Sequence, residues 1–425
     1  MTRLRDGLLW ATTILLVFPL GGHLTAADWP QFRGPGGSGR SDETGLPVQW
    51  DGQKNLAWKA QLPGPGASSP ATFAGKIYMT CYSGYGTDAK NPGDVKDLTR
   101  HLLCLSPEGK VLWDSTQVAT HPQEKYEGFI PLHGYASGTP AIDSSGIYVF
   151  YGTTGAAAYS FDGKQRWLTN CGTTTHEFGT GTSPVLFENL VIVNASVESG
   201  SLIALNKDDG KEVWRQKGIK MSWSTPALVK TADGKWEVAV TIQGKVLAFD
   251  PASGEQLWSC DSADDYICPS ILVHDDMLYV IGGRKGRTIA IRAGGRGDVT
   301  ATHKLWEVKE GSNVSSPVFH DGHLYWANES SGTVFCVNTK SGELVYKKRL
   351  EPRPGRIYAS PVAADGKLYY VSRDQGAYVV AAKPDFELLA HNKIETDQSV
   401  FNGSVAVFQG KLLLRSDKFL YCIGQ

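Results

Sequence analysis

The strongest constraint on the fold is a repeat of about 44 residues that runs through most of this 425-residue chain. A proline opens each unit and an aromatic residue closes it. After a first gap of 70 residues, the opening prolines recur every 42 to 48 residues. They are Pro70, Pro140, Pro184, Pro226, Pro269, Pro317 and Pro361, and the closing aromatics are Trp113, Trp167, Trp214, Trp258, Trp306 and Tyr346. A repeat of this length indicates stacked units that cannot bury their apolar faces alone.

The content of one unit predicts its structure. Residues 224–258 read STPALVKTADGKWEVAVTIQGKVLAFDPASGEQLW, which is four short β-rich segments with turn residues at each junction. None of the segments has the 3.6-residue apolar period of a helix. The sequence therefore predicts an all-β protein made of four-stranded antiparallel propeller blades. The seven complete blades are residues 68–114, 138–168, 182–216, 224–259, 268–308, 315–348 and 359–394.

An eighth blade is divided between the two ends of the chain. Residues 403–425 hold three strands, whereas residues 48–62 resemble an isolated outer strand with Trp58 in the closing position. We therefore predict an eight-bladed β-propeller whose ring is closed by an N-terminal strand that completes the last blade. The closing tryptophans are predicted to dock each blade on the next. They are Trp58, Trp113, Trp167, Trp214, Trp258 and Trp306.

The N-terminal region predicts export. Residues 1–27 combine Arg3 and Arg5 with an apolar run and small residues before Asp28, as in a signal peptide, although an uncleaved anchor is an alternative. Residues 28–47 are rich in Gly, Pro and Ser and are interpreted as an extended arm or surface loop, and residues 48–425 as the propeller. No later stretch could cross a membrane, so we expect a periplasmic or secreted monomer. The net charge of −1 argues against nucleic-acid binding.

Seven cysteines follow the predicted signal, and they are not spaced as a zinc or redox motif. An exported protein can form disulfides, and Cys260 with Cys268 is the pair considered first. The alternative is that all seven are small buried strand residues.

A candidate ligand site is the mouth of the central channel, because the segments that lead into the innermost strands converge there. These segments are rich in polar and aromatic side chains. The candidate residues are His133, Tyr135, His176, Glu177, Trp223, Asp264, Asp265, Asn313, Arg356, Tyr358, Asp397 and Asn402, with Phe178, Tyr266 and Phe401 beside them.

Three short segments each allow a specific functional interpretation and a simpler structural one. Asp264 and Asp265 could hold Ca²⁺, but an Asp pair is also typical of a turn. His176 and Glu177 could act as acid and base, yet no nucleophile or orienting group accompanies them. Residues 282–297, GGRKGRTIAIRAGGRG, could bind an anion, but strand alternation with solvated arginines is favoured because no helix follows the glycines. No catalytic residue is therefore predicted.

The repeat resembles that of the pyrroloquinoline quinone (PQQ) enzyme family. Residues 248–258, AFDPASGEQLW, and 204–214, ALNKDDGKEVW, are similar to its Ala-x-Asp-x-x-Thr-Gly-x-x-x-Trp docking motif. The resemblance covers nearly the whole mature chain and implies an eight-bladed propeller. The family includes PQQ-dependent alcohol and glucose dehydrogenases and also cofactor-free propellers such as BamB, a scaffold of outer-membrane barrel assembly.

The differences between this chain and that family determine which functional hypothesis is preferred. The adjacent cysteine pair and long roofing loops of the large dehydrogenases are absent, as is the lipidated cysteine of BamB-like proteins. The leading hypothesis is a non-enzymatic scaffold that binds a protein or glycan in the cell envelope, with no cofactor. The alternatives are a PQQ- and calcium-dependent alcohol or sugar dehydrogenase, and a hydrolase or lyase acting on sugars.

Overall fold

A computed structural model describes residues 27–425 of the chain. Eight β-sheets of four main strands each are arranged around a central channel, which confirms the predicted eight-bladed propeller. The predicted signal peptide lies almost entirely outside the described residues. No helix within residues 27–425 has the length and apolar character needed to cross a membrane.

Each blade is an antiparallel meander that runs from the channel outward. The strands of blades one to four are Ala71–Phe73, Lys76–Ser83, Thr99–Leu105 and Val111–Val118; Ala141–Asp143, Gly146–Phe150, Ala156–Tyr159 and Gln165–Thr169; Val185–Phe187, Leu190–Ala195, Ser201–Asn206 and Glu212–Lys217; and Ala227–Lys230, Trp236–Ile242, Lys245–Phe249 and Gln256–Asp261. Those of blades five to seven are Leu272–His274, Met277–Gly282, Arg287–Arg292 and Lys304–Val308; Val318–His320, His323–Ala327, Thr333–Asn338 and Leu344–Arg349; and Val362–Ala364, Lys367–Val371, Ala377–Ala381 and Leu388–Asn392.

Blade eight closes the ring as predicted. Its three C-terminal strands are Ala406–Phe408, Lys411–Arg415 and Phe419–Ile423, and its outer strand is Leu56–Gln61. Leu56–Gln61 pairs antiparallel with Phe419–Ile423. The blade therefore joins both ends of the propeller sequence in one sheet and leaves no open gap in the ring.

Helical structure is confined to short turns in the connections. The 3₁₀ turns are Pro35–Gly37, Val95–Asp97, Ile130–Leu132 and Gly152–Thr154, and the α-helical turns are Ser196–Ser199 and Thr300–His303. Two short strands extend existing blades in parallel: Arg40–Ser41 pairs with the innermost strand of blade seven, and Gly297–Asp298 pairs with the outer strand of blade four.

Burial along the strands follows from the stacking of blades. Every residue of Gly146–Phe150 and Leu190–Ala195 is buried, because a middle strand is covered on both faces by neighbouring blades. Such strands are mostly apolar, whereas the outer strand Val111–Val118 largely alternates between exposed and half-buried side chains. The core is thus a circle of apolar layers between blades.

The closing tryptophans lie on the turns of the following blade. The indole of Trp58 packs against Gly109, where an added Cβ would stand 2.4 Å from the ring, and its Nε1 donates to the Pro107 carbonyl at 2.8 Å. Trp113, Trp167, Trp214 and Trp306 repeat this arrangement. Trp258 differs, because its Nε1 donates to the buried carboxylate of Glu237 at 2.8 Å.

All seven cysteines are free in the structure, so the Cys260–Cys268 disulfide is not formed. The reason is geometric. Cys260 lies on the outer strand of blade four, whereas Cys268 leads into the innermost strand of blade five. The two positions are separated by the width of a four-stranded blade, roughly 14 Å at about 4.8 Å per strand, whereas a disulfide needs Cα atoms within about 7 Å.

Residues 28–47 are an arm, but the prediction of a surface loop is wrong for its core. Trp29 and Arg33 are 2% and 1% exposed. The Trp29 and Pro30 carbonyls accept from Thr72 N and Ile142 N on the innermost strands of blades one and two, both at 2.8 Å. The arm then crosses the channel to blade seven, where Arg40–Ser41 adds its strand. It therefore closes the channel at one end.

Candidate functional site

A circle of hydrogen bonds surrounds the channel at the start of the innermost strands. In every blade the backbone N–H of one Ser or Thr donates to the hydroxyl of its counterpart in the next blade, at 2.9–3.1 Å. The members of this hydroxyl ring are Ser69, Thr139, Ser183, Thr225, Ser270, Ser316, Ser360 and Ser404. The circle is unbroken from blade eight back to blade one.

The hydroxyl ring explains the repeated Ser/Thr-Pro step in the sequence. The ring residue supplies both the donor and the acceptor, and the proline that follows in six blades has no N–H to leave unsatisfied. Blade five is offset by one position, because Pro269 precedes its ring residue, Ser270, instead of following it. In blade eight the position after Ser404 is Val405.

Above the hydroxyl ring the channel opens into a cavity of about 390 Å³, which we call the cup. Phe32 of the arm contributes to it from below, and six members of the hydroxyl ring line it. Its remaining walls carry aromatic and polar side chains from all sides of the mouth. They include Phe129, Leu132, His133, Phe178, Trp223, Tyr266, Cys268, Asn313, Glu329, Arg356, Tyr358 and Asn402.

The aromatic wall of the cup is a connected cluster. The ring centroids of Phe178 and Trp223 are 5.3 Å apart, and Tyr266 lies 5.0 Å from Phe178. Phe129 meets Phe178 edge to face at 4.7 Å. Such contacts hold the rings at fixed angles, so the wall is formed before any ligand arrives. Phe129 nevertheless remains 45% exposed.

The remaining wall of the cup is polar, and Arg356 is the cation that lines it. The Arg373 guanidinium lies over the Tyr358 ring at 4.5 Å, and Arg356 Nη1 donates to the Tyr358 hydroxyl at 3.3 Å. Glu329 Oε2 accepts from the Asn313 N–H at 2.9 Å, and Asn313 Nδ2 donates to the Tyr266 hydroxyl at 2.6 Å. A ligand would therefore meet aromatic faces next to fixed hydrogen-bonding groups.

Residues 119–137, the mouth connection between blades one and two, cover part of the opening. The Leu132 carbonyl accepts from Arg373 Nη1 at 2.6 Å and from Asn402 Nδ2 at 2.8 Å, which ties the mouth connection to blades seven and eight. His133 Nε2 donates to the Phe178 carbonyl at 2.7 Å, and His133 Nδ1 pairs with Ser137 Oγ at 2.7 Å. Sequence reasoning did not find this bridge, because its partners are more than 240 residues apart.

Through these contacts His133 holds the mouth connection in position. Burial lowers the pKa of its imidazole, and the Phe178 carbonyl and the nearby Arg373 modify that shift in opposite directions. Since Nε2 must carry the proton it donates to the carbonyl, Nδ1 of the neutral ring accepts from Ser137. Both nitrogens are therefore occupied in fastening the mouth connection.

The structure brings together half of the predicted mouth residues. Those that line the cup are His133, Trp223, Asn313, Arg356, Tyr358 and Asn402. Tyr135 and His176 line a separate crevice of about 30 Å³ beneath the mouth connection. Their ligand role remains a prediction.

The other predicted residues lie elsewhere. Glu177 and Asp264 are exposed on loops. Asp265 accepts from the backbone N–H of Arg284 at 2.9 Å and pairs with its guanidinium. Asp397 is 6% exposed and accepts from the Tyr421 hydroxyl at 2.9 Å between blades seven and eight.

The residues of the cup do not fit a calcium–PQQ site. Among residues 27–425, no group of three or more His, Cys, Asp or Glu side chains is arranged to hold a metal ion. Of the described residues that line the cup, Glu329 is the one carboxylate, and its Oε2 already accepts from Asn313. Hard cations such as Ca²⁺ require six to eight oxygen ligands, which this single carboxylate does not supply.

Comparisons with solved structures agree with the fold. BamB from Moraxella catarrhalis matches with a TM-score of 0.58 at 14% identity, covering 86% of this chain and 96% of that one. A europium-containing methanol dehydrogenase gives 0.65 at 12% identity, covering 91% and 89%. Quinohemoprotein alcohol dehydrogenase from Comamonas testosteroni gives 0.59 at 11% identity, covering 93% and 80%. At these identities the likeness shows the fold alone.

Sequence comparison assigns the family. No curated protein matches the chain significantly. The sequence model of one family, described as outer membrane protein assembly factor BamB, matches residues 99–296 and 295–385, from the third strand of blade one to just after the third strand of blade seven. With the eight-bladed fold and the repeated docking motif, this match shows that the chain belongs to the BamB family of PQQ-like propellers.

Proposed function

We propose that this protein is a non-enzymatic binding propeller of the bacterial cell envelope, and that it captures a protein partner in the cup. The observation that carries the proposal is the preformed aromatic wall of Phe129, Phe178, Trp223 and Tyr266 together with the cation Arg356 in the same cup. Aromatic residues and arginine are the side chains that most often dominate protein interfaces.

Two further observations support this proposal. The family is named for a factor in outer membrane protein assembly, which favours a polypeptide partner in the envelope. The titratable groups that line the cup have structural partners: His133 fastens the mouth connection, and Glu329 accepts from the Asn313 N–H. A concave, mostly apolar site with a few fixed polar groups is typical of ligand recognition.

The test is a selection of displayed random peptides on the immobilised chain comprising residues 28–425. Selected peptides are then measured by calorimetry against the wild type and against Trp223→Ala and Phe129→Ala. We expect these variants to bind roughly tenfold to thirtyfold more weakly, as loss of a central aromatic contact does. Trp236→Ala is the control, because Trp236 is 44% exposed on blade four outside the cup.

Three outcomes would contradict the proposal. Unchanged affinity in the cup variants would move the binding site to another surface. Failure of every peptide, together with binding to a glycan array, would favour a sugar ligand. A calorimetric titration with PQQ, with and without Ca²⁺, tests the dehydrogenase alternative, and saturable Ca²⁺-dependent binding in the micromolar range or tighter would replace our proposal with it.

A further inference from the structure

The arm carries a buried cation with no anionic partner. Arg33 is 1% exposed, and within residues 27–425 its guanidinium forms no ion pair. Arg40 on the same arm, by contrast, pairs with Asp42 at 2.9 Å. Removal of an unpaired charge from water is strongly unfavourable unless other groups compensate for it. Some group must therefore stabilise the Arg33 guanidinium.

Acceptors of the protein satisfy only one of the three nitrogen atoms of this guanidinium. Arg33 Nη2 donates to the Pro317 carbonyl and to the Ser38 carbonyl, the latter at 3.3 Å. The Nε and Nη1 atoms are buried and have no acceptor among the described residues. At Arg100, another buried arginine, all three nitrogens have acceptors. Orphaned buried donors in a native protein point to an ion or water at that position.

The surroundings of Arg33 favour an anion. Pro317 and Pro361 directly follow the hydroxyl-ring residues Ser316 and Ser360, so the guanidinium lies one residue below the ring. A Cβ added at Gly39 would stand 3.0 Å from Arg33 Nη2 and 3.2 Å from the Pro361 carbonyl, which fixes the guanidinium close to both blades. Each ring hydroxyl accepts an N–H and retains its own proton for donation. The neighbouring Phe32 lines the cup.

We propose that Arg33 binds a small anion through one of its two unpaired donors, Nε or Nη1, between the arm and the hydroxyl ring. The anion is a free halide or the carboxylate of a small molecule that reaches down through the cup. Burial without a carboxylate also lowers the pKa of Arg33 to about 9, and a bound anion would raise it again. The inference does not depend on which partner the cup binds.

The direct test is anomalous diffraction from crystals of the wild-type chain soaked in sodium bromide. We expect a bromide peak within hydrogen-bonding distance of Arg33 Nε or Nη1. A water molecule at that position, with no anomalous signal, would overturn the proposal. This measurement needs no variant and therefore cannot fail through misfolding.

Thermal unfolding in sodium bromide and in sodium methanesulfonate, whose anion is neither a halide nor a carboxylate, gives a second test at equal ionic strength. Because the folded state alone holds the anion, bromide should raise the wild-type melting temperature by roughly 2–4 °C. Arg33→Met should lack this increment, whereas the control Arg40→Met should keep it. An equal rise of the melting temperature in Arg33→Met would show a general salt effect and would overturn the proposal.

Soaks with benzoate and with benzyl alcohol distinguish the source of the anion. If the site takes the carboxylate of a molecule in the cup, benzoate should displace bromide from the anomalous map, and benzyl alcohol should leave it in place. If neither compound displaces bromide, the site takes free halide.

Discussion

At the scale of single residues, each closing aromatic faces a small side chain across the strand pair. The pairs are Trp58–Cys422, Trp113–Cys104, Trp167–Ala158, Trp214–Ala204, Trp258–Ala248, Trp306–Ala290 and Tyr346–Cys336. Three of the seven cysteines therefore act as small residues that leave room for a ring, as the non-disulfide interpretation expects. The alanine that opens the AFDPASGEQLW motif has the same purpose.

A register shift accompanies every one of these pairs. The third and outer strands of all eight blades slip by one residue beside the closing position. The residue that the shift leaves without a partner on the third strand turns outward. Leu112, Val213 and Leu305 are such residues, and they are 46%, 50% and 45% exposed. These exposed apolar side chains follow from the bulge and do not require a partner surface.

Loss of one docking tryptophan should weaken the whole ring. Trp167 is 8% exposed and packs on Gly210, with its Nε1 bonded to the Lys207 carbonyl at 2.9 Å. We expect Trp167→Ala to lower the free energy of unfolding by about 3–5 kcal/mol, because it leaves a cavity between two blades. Denaturant titration checks this, with the exposed Trp236→Ala as control. Equal midpoints for the two variants would contradict the docking role.

A buried carboxyl beneath the mouth should give the protein a specific pH dependence. Glu198 is 2% exposed, and burial raises its pKa from 4.5 to about 7, although the hydroxyl of Thr180 donates to it. Between these pH values the folded chain keeps a proton that the unfolded chain has released. Its contribution to stability is therefore present below about pH 4.5 and is lost as the pH rises to about 7.

We expect this pH-dependent contribution to stability to be missing from Glu198→Gln, whose amide oxygen can still accept a hydrogen bond from Thr180. The difference in melting temperature between the wild type and Glu198→Gln should fall from pH 4.5 to pH 7 and change little above it. Glu177→Gln, at an exposed loop position, should follow the wild type. Parallel curves for the wild type and Glu198→Gln would contradict the assignment.

At the scale of elements, the hydroxyl ring links eight innermost strands that share no β-ladder with one another. Each link joins a backbone donor to a buried side-chain acceptor, so one substitution breaks one link. In Ser360→Ala the N–H of Ser316 loses its acceptor. We expect a loss of about 1–3 kcal/mol in the free energy of unfolding. Ser360→Thr keeps the hydroxyl and should recover most of it, and equal losses in both would exclude the hydrogen bond as the cause.

The sequence predicted the repeated elements well and the unrepeated ones poorly. Blade boundaries, the split blade and the convergence of Trp223, Asn313 and Tyr358 follow from periodicity alone. The arm and the mouth connection have no period, and their positions depend on distant partners, such as the Leu132 carbonyl with Arg373 and Asn402. Asp397 was misplaced for a related reason. Its loop turns inward and buries the carboxylate against Tyr421, which no local pattern indicates.

At the scale of the whole molecule, closure of the ring and closure of the channel are separate features. A chain that starts at residue 48 lacks the arm but keeps the outer strand Leu56–Gln61 of blade eight. A chain that starts at residue 63 lacks both. We expect the first to fold as a monomer with a lower melting temperature, and the second to aggregate through its open edge. Size-exclusion chromatography with light scattering checks this, and a well-folded monomer starting at residue 63 would refute ring closure.

The arm beneath the cup has a consequence for the kind of partner that can be accommodated. A propeller with an open channel could let a polymer thread through it, whereas here passage is blocked at Phe32 and Trp29. A long polypeptide or glycan could insert only a terminus or the tip of a bend, and it would have to withdraw by the way it came. Two such ligands would compete for the cup, so each protein molecule would bind one ligand at a time.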